Sequence, residues 1–171
     1  SQITFQRFLR RYHRLGGMSG TLGEARGELR SLYGCPFVHV PLRLPSRALR
    51  GPLRCWSSDA ARRQAVVARA ASLAAAGRPV LIGCDSVQAS DAMAQALAQA
   101  GLPHHLLHAR LDAAEAAIVA RAGEPGRITV ATSMAGRGTD IAIDPPAQAA
   151  GGLHVLSCQH NASRRHDRQL S

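Results

Sequence analysis

Ile128-Thr-Val-Ala-Thr-Ser-Met-Ala-Gly-Arg-Gly-Thr-Asp-Ile141 holds the sharpest change of character in this chain. An apolar run with β-branched Ile128 and Val130 gives out at Thr132-Ser133, and a turn of small residues follows, carrying one arginine, two glycines and one aspartate. The pattern predicts a buried strand that empties into a loop at its carboxyl end, the place where open α/β sheets hold their ligands. Gly136 and Gly138 let the backbone approach a ligand closely, Arg137 can fork onto phosphate oxygens, and Asp140 can accept from a ribose hydroxyl or hold that arginine. A glycine-rich turn with a local Arg–Asp pair is the other reading these residue types allow.

Working outward, the same strand-then-helix rhythm recurs. Upstream, Val80–Gly83 and His105–His108 read as short, continuously apolar strands, and downstream Leu153–Ser157 reads as another. Between them lie helical patterns. Ser58 or Asp59 opens one whose apolar positions Val66, Val67, Ala70, Leu73 and Ala74 share a face. Asp85 with Gln88, and Asp112 with Glu115, have the spacing of a capping box. Gly77, Gly101 and Gly123 stand where a helix closes on a left-handed residue. Strands alternating with helices predict an α/β domain of three layers, with a mainly parallel sheet covered on both faces.

The amino-terminal third is less regular. Residues 3–15 read as an amphipathic helix with Ile3, Phe5, Phe8 and Leu15 apolar, stopped by Gly16-Gly17, and a second helix covers about 22–33 and ends at Gly34. Phe37–Val40 and Leu53–Trp56 read as short strands on either side of a proline-bearing linker, and residues 1–34 as a helical lead-in to a domain over 35–171.

Composition narrows the function classes. All 21 basic residues are arginine and only 11 acids offset them, giving a net charge of +10. A basic patch for nucleic acid or anionic lipid is one meaning of that excess, and a solvated arginine-rich surface is another. Cys35, Cys55, Cys84 and Cys158 are far apart, with no CxxC pair and no Cys/His cluster at metal spacing. No metal site is expected, and Cys84 and Cys158, which end apolar runs, read as small buried residues. No stretch approaches the roughly 20 apolar residues that span a bilayer. With no lysine in the chain there is no G-x-x-x-x-G-K-[ST] phosphate loop.

The segment Thr132-Ser-Met-Ala-Gly-Arg-Gly-Thr-Asp-Ile141 resembles the second-motor-lobe motif of the SecA family, ATPases that push preproteins through the bacterial Sec channel. Other matches follow in the family's order. Ile3-Thr-Phe-Gln-Arg-Phe8 and Leu15-Gly-Gly-Met-Ser-Gly-Thr21 resemble its opening segment; Pro79–Gly83, Ala109-Arg110 and Glu115–Gly123 resemble the run before the motor loop. Gly151–Val155 and Ser163–Leu170 resemble the approach to its last helicase-type motif. The resemblance implies a RecA-like (P-loop NTPase-like) αβα lobe. It also implies nucleotide contacts from Gly136, Arg137, Gly138 and Asp140, and coupling or interlobe roles for Gly20, Thr21, Arg164 and Gln169. ATP and Mg2+ are the implied cofactors, with the metal held by a first motor lobe that these residues lack. That lobe, the Sec channel, preprotein and anionic lipid are the implied partners, at a cytoplasmic position on the inner face of the membrane.

Departures temper the likeness. Pro41-Leu-Arg-Leu-Pro45 stands where the family has Pro-x-Asn-Arg-Pro, His108 stands for an asparagine, and Ser19 for a threonine. After Leu170 the family continues as Arg-Gly-Arg-x-Gly-Arg, whereas here Ser171 follows. The expectation is a lobe truncated before its final arginine motif, with no catalytic residues of its own and no hydrolysis in isolation. The second lobe of a nucleic-acid helicase shares this architecture, and a degenerate homologue that binds partners without hydrolysis fits the departures.

Overall fold

A computed structural model describes residues 3–19, 22–107, 112–132 and 141–158. They divide into two compact units, with the boundary between Arg50 and Gly51.

The first unit is built from short pieces. Helix α1 spans Phe5–Leu9, with Thr4 Oγ1 accepting from the Arg7 N–H at 3.3 Å. The helix expected to reach residue 15 stops there. Phe5 is 85% exposed and no α1 residue is buried, so the apolar stripe has no surface that would extend a helix this short. A single 3₁₀ turn at Leu22–Ala25 leads into α2, Arg26–Tyr33, which closes on Gly34 at φ +66° as its sequence predicts. The Arg26 guanidinium lies 5.5 Å from the centre of the Phe37 ring. Phe37–Val40 forms no strand, and neither does Leu53–Trp56 in the second unit. Val38, Val40 and Leu53 are exposed; an apolar run becomes a strand only where a neighbouring strand takes up its backbone hydrogen bonds.

The second unit contains the sheet. Helix α3 (Asp59–Ala75) is followed by β1 (Val80–Cys84), α4 (Val87–Gln99), β2 (His105–Leu107), α5 (Asp112–Arg121), β3 (Ile128–Thr132), α6 (Pro145–Ala149) and β4 (His154–Ser157). Every pairing is parallel and the strand order is β2-β3-β1-β4. Alternating side chains supply the two faces. Val80, Ile82 and Cys84 of β1, with Ile128 and Val130 of β3, pack on Ala70 and Leu73 of α3 and Met93 and Leu97 of α4. Ala131 and Leu107, with Leu81, pack on Ile118 and Val119 of α5 and on Ile141. This is the expected three-layer, P-loop NTPase-like α/β arrangement. Helix α6, which occupies part of the Pro- and Ala-rich connection before β4, was not visible in the sequence pattern; Pro145 sits in its first turn, where a missing N–H costs nothing.

Two local expectations are corrected. Ser86, rather than Asp85, caps α4: its backbone is extended and its hydroxyl accepts from the Ala89 N–H at 3.2 Å. Gly77 and Gly101 do take positive φ beyond their helices, but Gly123 does not; Gly126, at φ +70°, turns the chain into β3 instead. Gly123 serves a different need, because an added Cβ would collide with the Ala142 backbone.

Candidate functional site

Because all four strands run the same way, Cys84, Leu107, Thr132 and Ser157 end at one edge of the sheet. Two neighbouring strands there send their chains to opposite faces. From β1 the chain passes Asp85 and Ser86 into α4, which lies on the α3 face. From β3 the chain is next described at Ile141, packed on the α5 face. The carboxyl ends of β1 and β3 therefore flank a topological switch point, where an open α/β sheet parts into a crevice.

Eight residues, 133–140, connect Thr132 to Ile141 in the sequence. Gly136, Arg137, Gly138 and Asp140 belong to that segment and lie outside the described residues, as do Gly20, Thr21, Arg164 and Gln169. The structure describes the ends of that segment: Thr132 is buried at the end of β3, and Ile141 packs against the core around Leu107, Val119 and Ala131.

A second group of side chains gathers at the same edge. The Cys158 N–H donates to the Gly83 carbonyl at 2.9 Å, continuing the β1–β4 ladder one step past Ser157 and setting Cys158 beside Cys84. The two thiols are neighbours in the same core cluster and act on each other's protonation. The Cys158 thiol, then burial, holds the Cys84 thiol far above the ordinary range. The Cys84 thiol and the positive charge of Arg62 lower Cys158, against the opposing effect of burial. Arg62 lies in the first turns of α3 and pairs with Asp59 at 3.2 Å, while its Nε is buried without a hydrogen-bond partner. Sequence reading treated Cys84 and Cys158 as separate core residues; only the register of two strands brings them together.

The opposite, amino edge carries a network of bonded charges, though the buried Arg127 Nε has no hydrogen-bond partner. Arg78 donates from Nη2 to the Gly151 carbonyl at 2.7 Å and from Nε to the Gly152 carbonyl at 3.1 Å. Glu124 accepts from Arg121 at 2.6 Å and from Arg127 at 2.7 Å, and its carboxyl is lowered first by the Arg121 hydrogen bond. His105 and His154, the first residues of β2 and β4, are both shifted down, chiefly by burial and then by neighbouring arginines.

Residues 54–149 match the family model described as the SecA P-loop domain. The chain is 49% identical over 168 residues to "Protein translocase subunit SecA 2" of Bordetella avium, covering 98% of this chain and 26% of that protein. It is 44% identical over 170 residues to the SecA 2 subunit of Magnetococcus marinus, at 99% and 26% coverage. It is 41% identical over 168 residues to the SecA subunit of Bacteroides fragilis, at 98% and 15% coverage. The chain thus spans about a quarter or less of the length of these relatives. Although the matched family is described by its P-loop, residues 54–149 contain no lysine and hence no complete phosphate-loop motif.

Proposed function

This chain belongs to the SecA family, and from that premise we propose that it is the second nucleotide-binding lobe of a SecA-like ATPase that drives preproteins through the Sec channel. One observation carries the reading. The Gly136-Arg137-Gly138-Thr139-Asp140 segment follows a strand that ends beside the switch point of the sheet, in a chain with no lysine to cradle phosphates. Such a donor set fits part of a nucleotide, offering one cation, one anion and an approachable backbone. It does not fit a whole triphosphate with its magnesium, so those groups belong to a first lobe on a different stretch of protein.

Within this reading ATP supplies the free energy of lobe closure, and the work of this chain is to face the nucleotide from one side. Asp140 accepts from a ribose hydroxyl or orients Arg137; Arg137 contacts phosphate or carries the nucleotide state to the interface. Gly20 and Thr21 in the lead-in of residues 1–34, with Arg164 and Gln169, couple that state to lobe position. Sec channel, preprotein and anionic lipid are the partners, at the inner face of the cell membrane; among the described residues no helix is long and apolar enough to cross it.

The test is ATP turnover by the full-length protein. Asp140→Ala and Arg137→Ala should each reduce it by about tenfold or more, as expected for losing a charge-assisted contact of about 1.5–3 kcal/mol. Unchanged turnover in both variants removes the assignment. The chain by itself should bind ATP–magnesium no tighter than about millimolar, roughly 4 kcal/mol, and should not hydrolyse it. The +10 net charge gives the helicase alternative its one foothold. Stimulation of turnover by single-stranded RNA or DNA, rather than by channel, lipid or unfolded preprotein, would move the assignment there.

A further inference from the structure

We propose that Cys84 and Cys158 form a dithiol that closes reversibly to a disulfide by exchange with a low-molecular-weight disulfide, tying β4 to β1 at the carboxyl edge of the sheet. The argument is first one of register. Gly83 pairs with Ser157, and the Cys158 N–H donates to the Gly83 carbonyl at 2.9 Å, so Cys158 is the next lateral partner of Cys84. Laterally paired residues of adjacent strands send their side chains to the same face. Both cysteines accordingly join the core cluster of the α3–α4 face, Cys84 buried within it and Cys158 packed against it. Strand neighbours stand about 4.8 Å apart, inside the roughly 4.4–6.8 Å that the Cα atoms of a disulfide span. Both thiols are reduced in this structure.

The two sulfurs are unequal, which gives the exchange an order. Cys84 is 1% exposed, while Cys158 is only partly buried and is the one an outside reagent can reach. Cys84 and the Arg62 guanidinium both lower the Cys158 thiol while Cys84 itself is raised, so the negative charge settles on Cys158; Asp85 is the opposing charge nearby. The Cys158 thiolate attacks the small disulfide RSSR, forming a Cys158–SR bond and releasing RS⁻. Once capped, Cys158 no longer bears the charge that held the proton on Cys84. Cys84 then gives up that proton, attacks the Cys158 sulfur and expels the second RS⁻. In total two protein thiols and RSSR become one protein disulfide and two RSH, with the two protons leaving on the small thiols. Excess small thiol reverses both steps.

The experiment treats the reduced chain with oxidised glutathione, alkylates the remaining thiols and maps the products by mass spectrometry. The expected result is loss of two of the four titratable thiols to a linkage between the Cys84 and Cys158 peptides, restored by dithiothreitol. Cys84→Ser should stall as a mixed glutathione disulfide on Cys158, and Cys158→Ser should leave Cys84 unmodified while exposed Cys55 reacts. A stable glutathione adduct on Cys158 of the unsubstituted chain, without linkage to Cys84, would overturn the proposal. So would a reaction confined to Cys35 and Cys55. The unsubstituted chain decides the matter even where a serine variant folds poorly. ATP binding plays no part in the readout, so this result and that of the proposed function stand or fall separately.

Discussion

The two edges of the sheet hold similar residue types and use them differently. At the amino edge the charged side chains are bonded into the fold: Arg78 bridges two carbonyls after α6, and Glu124 sits between Arg121 and Arg127, although the buried Arg127 Nε has no partner. At the carboxyl edge Arg62 also keeps a buried Nε without a partner, its one ion pair faces solvent, and two thiols lie together in the core cluster. Groups satisfied by the fold contribute stability. Groups left in excess at the end of a parallel sheet are available to ligands or reagents. The difference teaches which arginines to read as structure and which as chemistry, a distinction their numbers in the sequence do not make.

The sharpest way to break this comparison is to disturb the amino edge where the returning chain locks on. Ala142 and Ile143 press on Gly123, and the Asp144 N–H reaches the Gly123 carbonyl. Gly123→Ala places a methyl group against that backbone and should cost about 3 kcal/mol or more, read from urea unfolding. An unaffected midpoint would mean that the segment is not seated there. Arg78→Ala is next: losing two charge-assisted bonds to carbonyls should cost about 1.5–3 kcal/mol.

Legibility in the sequence followed the same division of labour. The strands β1 and β3 were readable because each is a short apolar run buried by its neighbours, β2 and β4 because their apolar runs are half-buried at the edges of the sheet, and the helices α3 and α4 because their stripes face that sheet. Phe37–Val40 and residues 10–15 failed for the converse reason: apolar patterning predicts structure only where something covers the pattern, and Val38, Val40, Tyr12 and Leu15 are all exposed. For the candidate site, the loop composition and its place after a strand were legible, since both are local properties. The Cys84–Cys158 pair was not, because lateral pairing of residues 84 and 158 depends on strand order and register, which no local pattern encodes.

The amino edge should also reveal itself through pH. His105 and His154 are held below the ordinary histidine value by burial first and by arginines second. The unfolded chain therefore takes up protons before the folded one does as pH falls. Stability is complete above the ordinary histidine value of about 6.5 and is lost progressively as pH drops from there toward the folded-state values. Urea midpoints between about pH 7.5 and pH 5 should decline, and the double variant His105→Gln/His154→Gln should flatten that part of the decline. An unchanged slope in the double variant would place the acid sensitivity elsewhere.

The smallest expected effect sharpens the comparison most, because it sets one arginine against another. Arg62 has the same guanidinium as Arg78, yet its ion pair with Asp59 is a solvent-facing contact, with side chains 37% and 73% exposed. Such pairs contribute little, and the unbonded Nε contributes nothing favourable while it stays buried. Arg62→Gln keeps most of the stem that packs beside the core and removes only the charge, so it should cost less than about 1 kcal/mol in urea unfolding. Against that small loss, the variant should slow reaction of Cys158 with oxidised glutathione, because the cation that favours the thiolate is gone. Arg78→Ala should show the reverse, a large loss of stability with the thiol chemistry intact. Equal unfolding costs for the two arginines would erase the distinction between the edges.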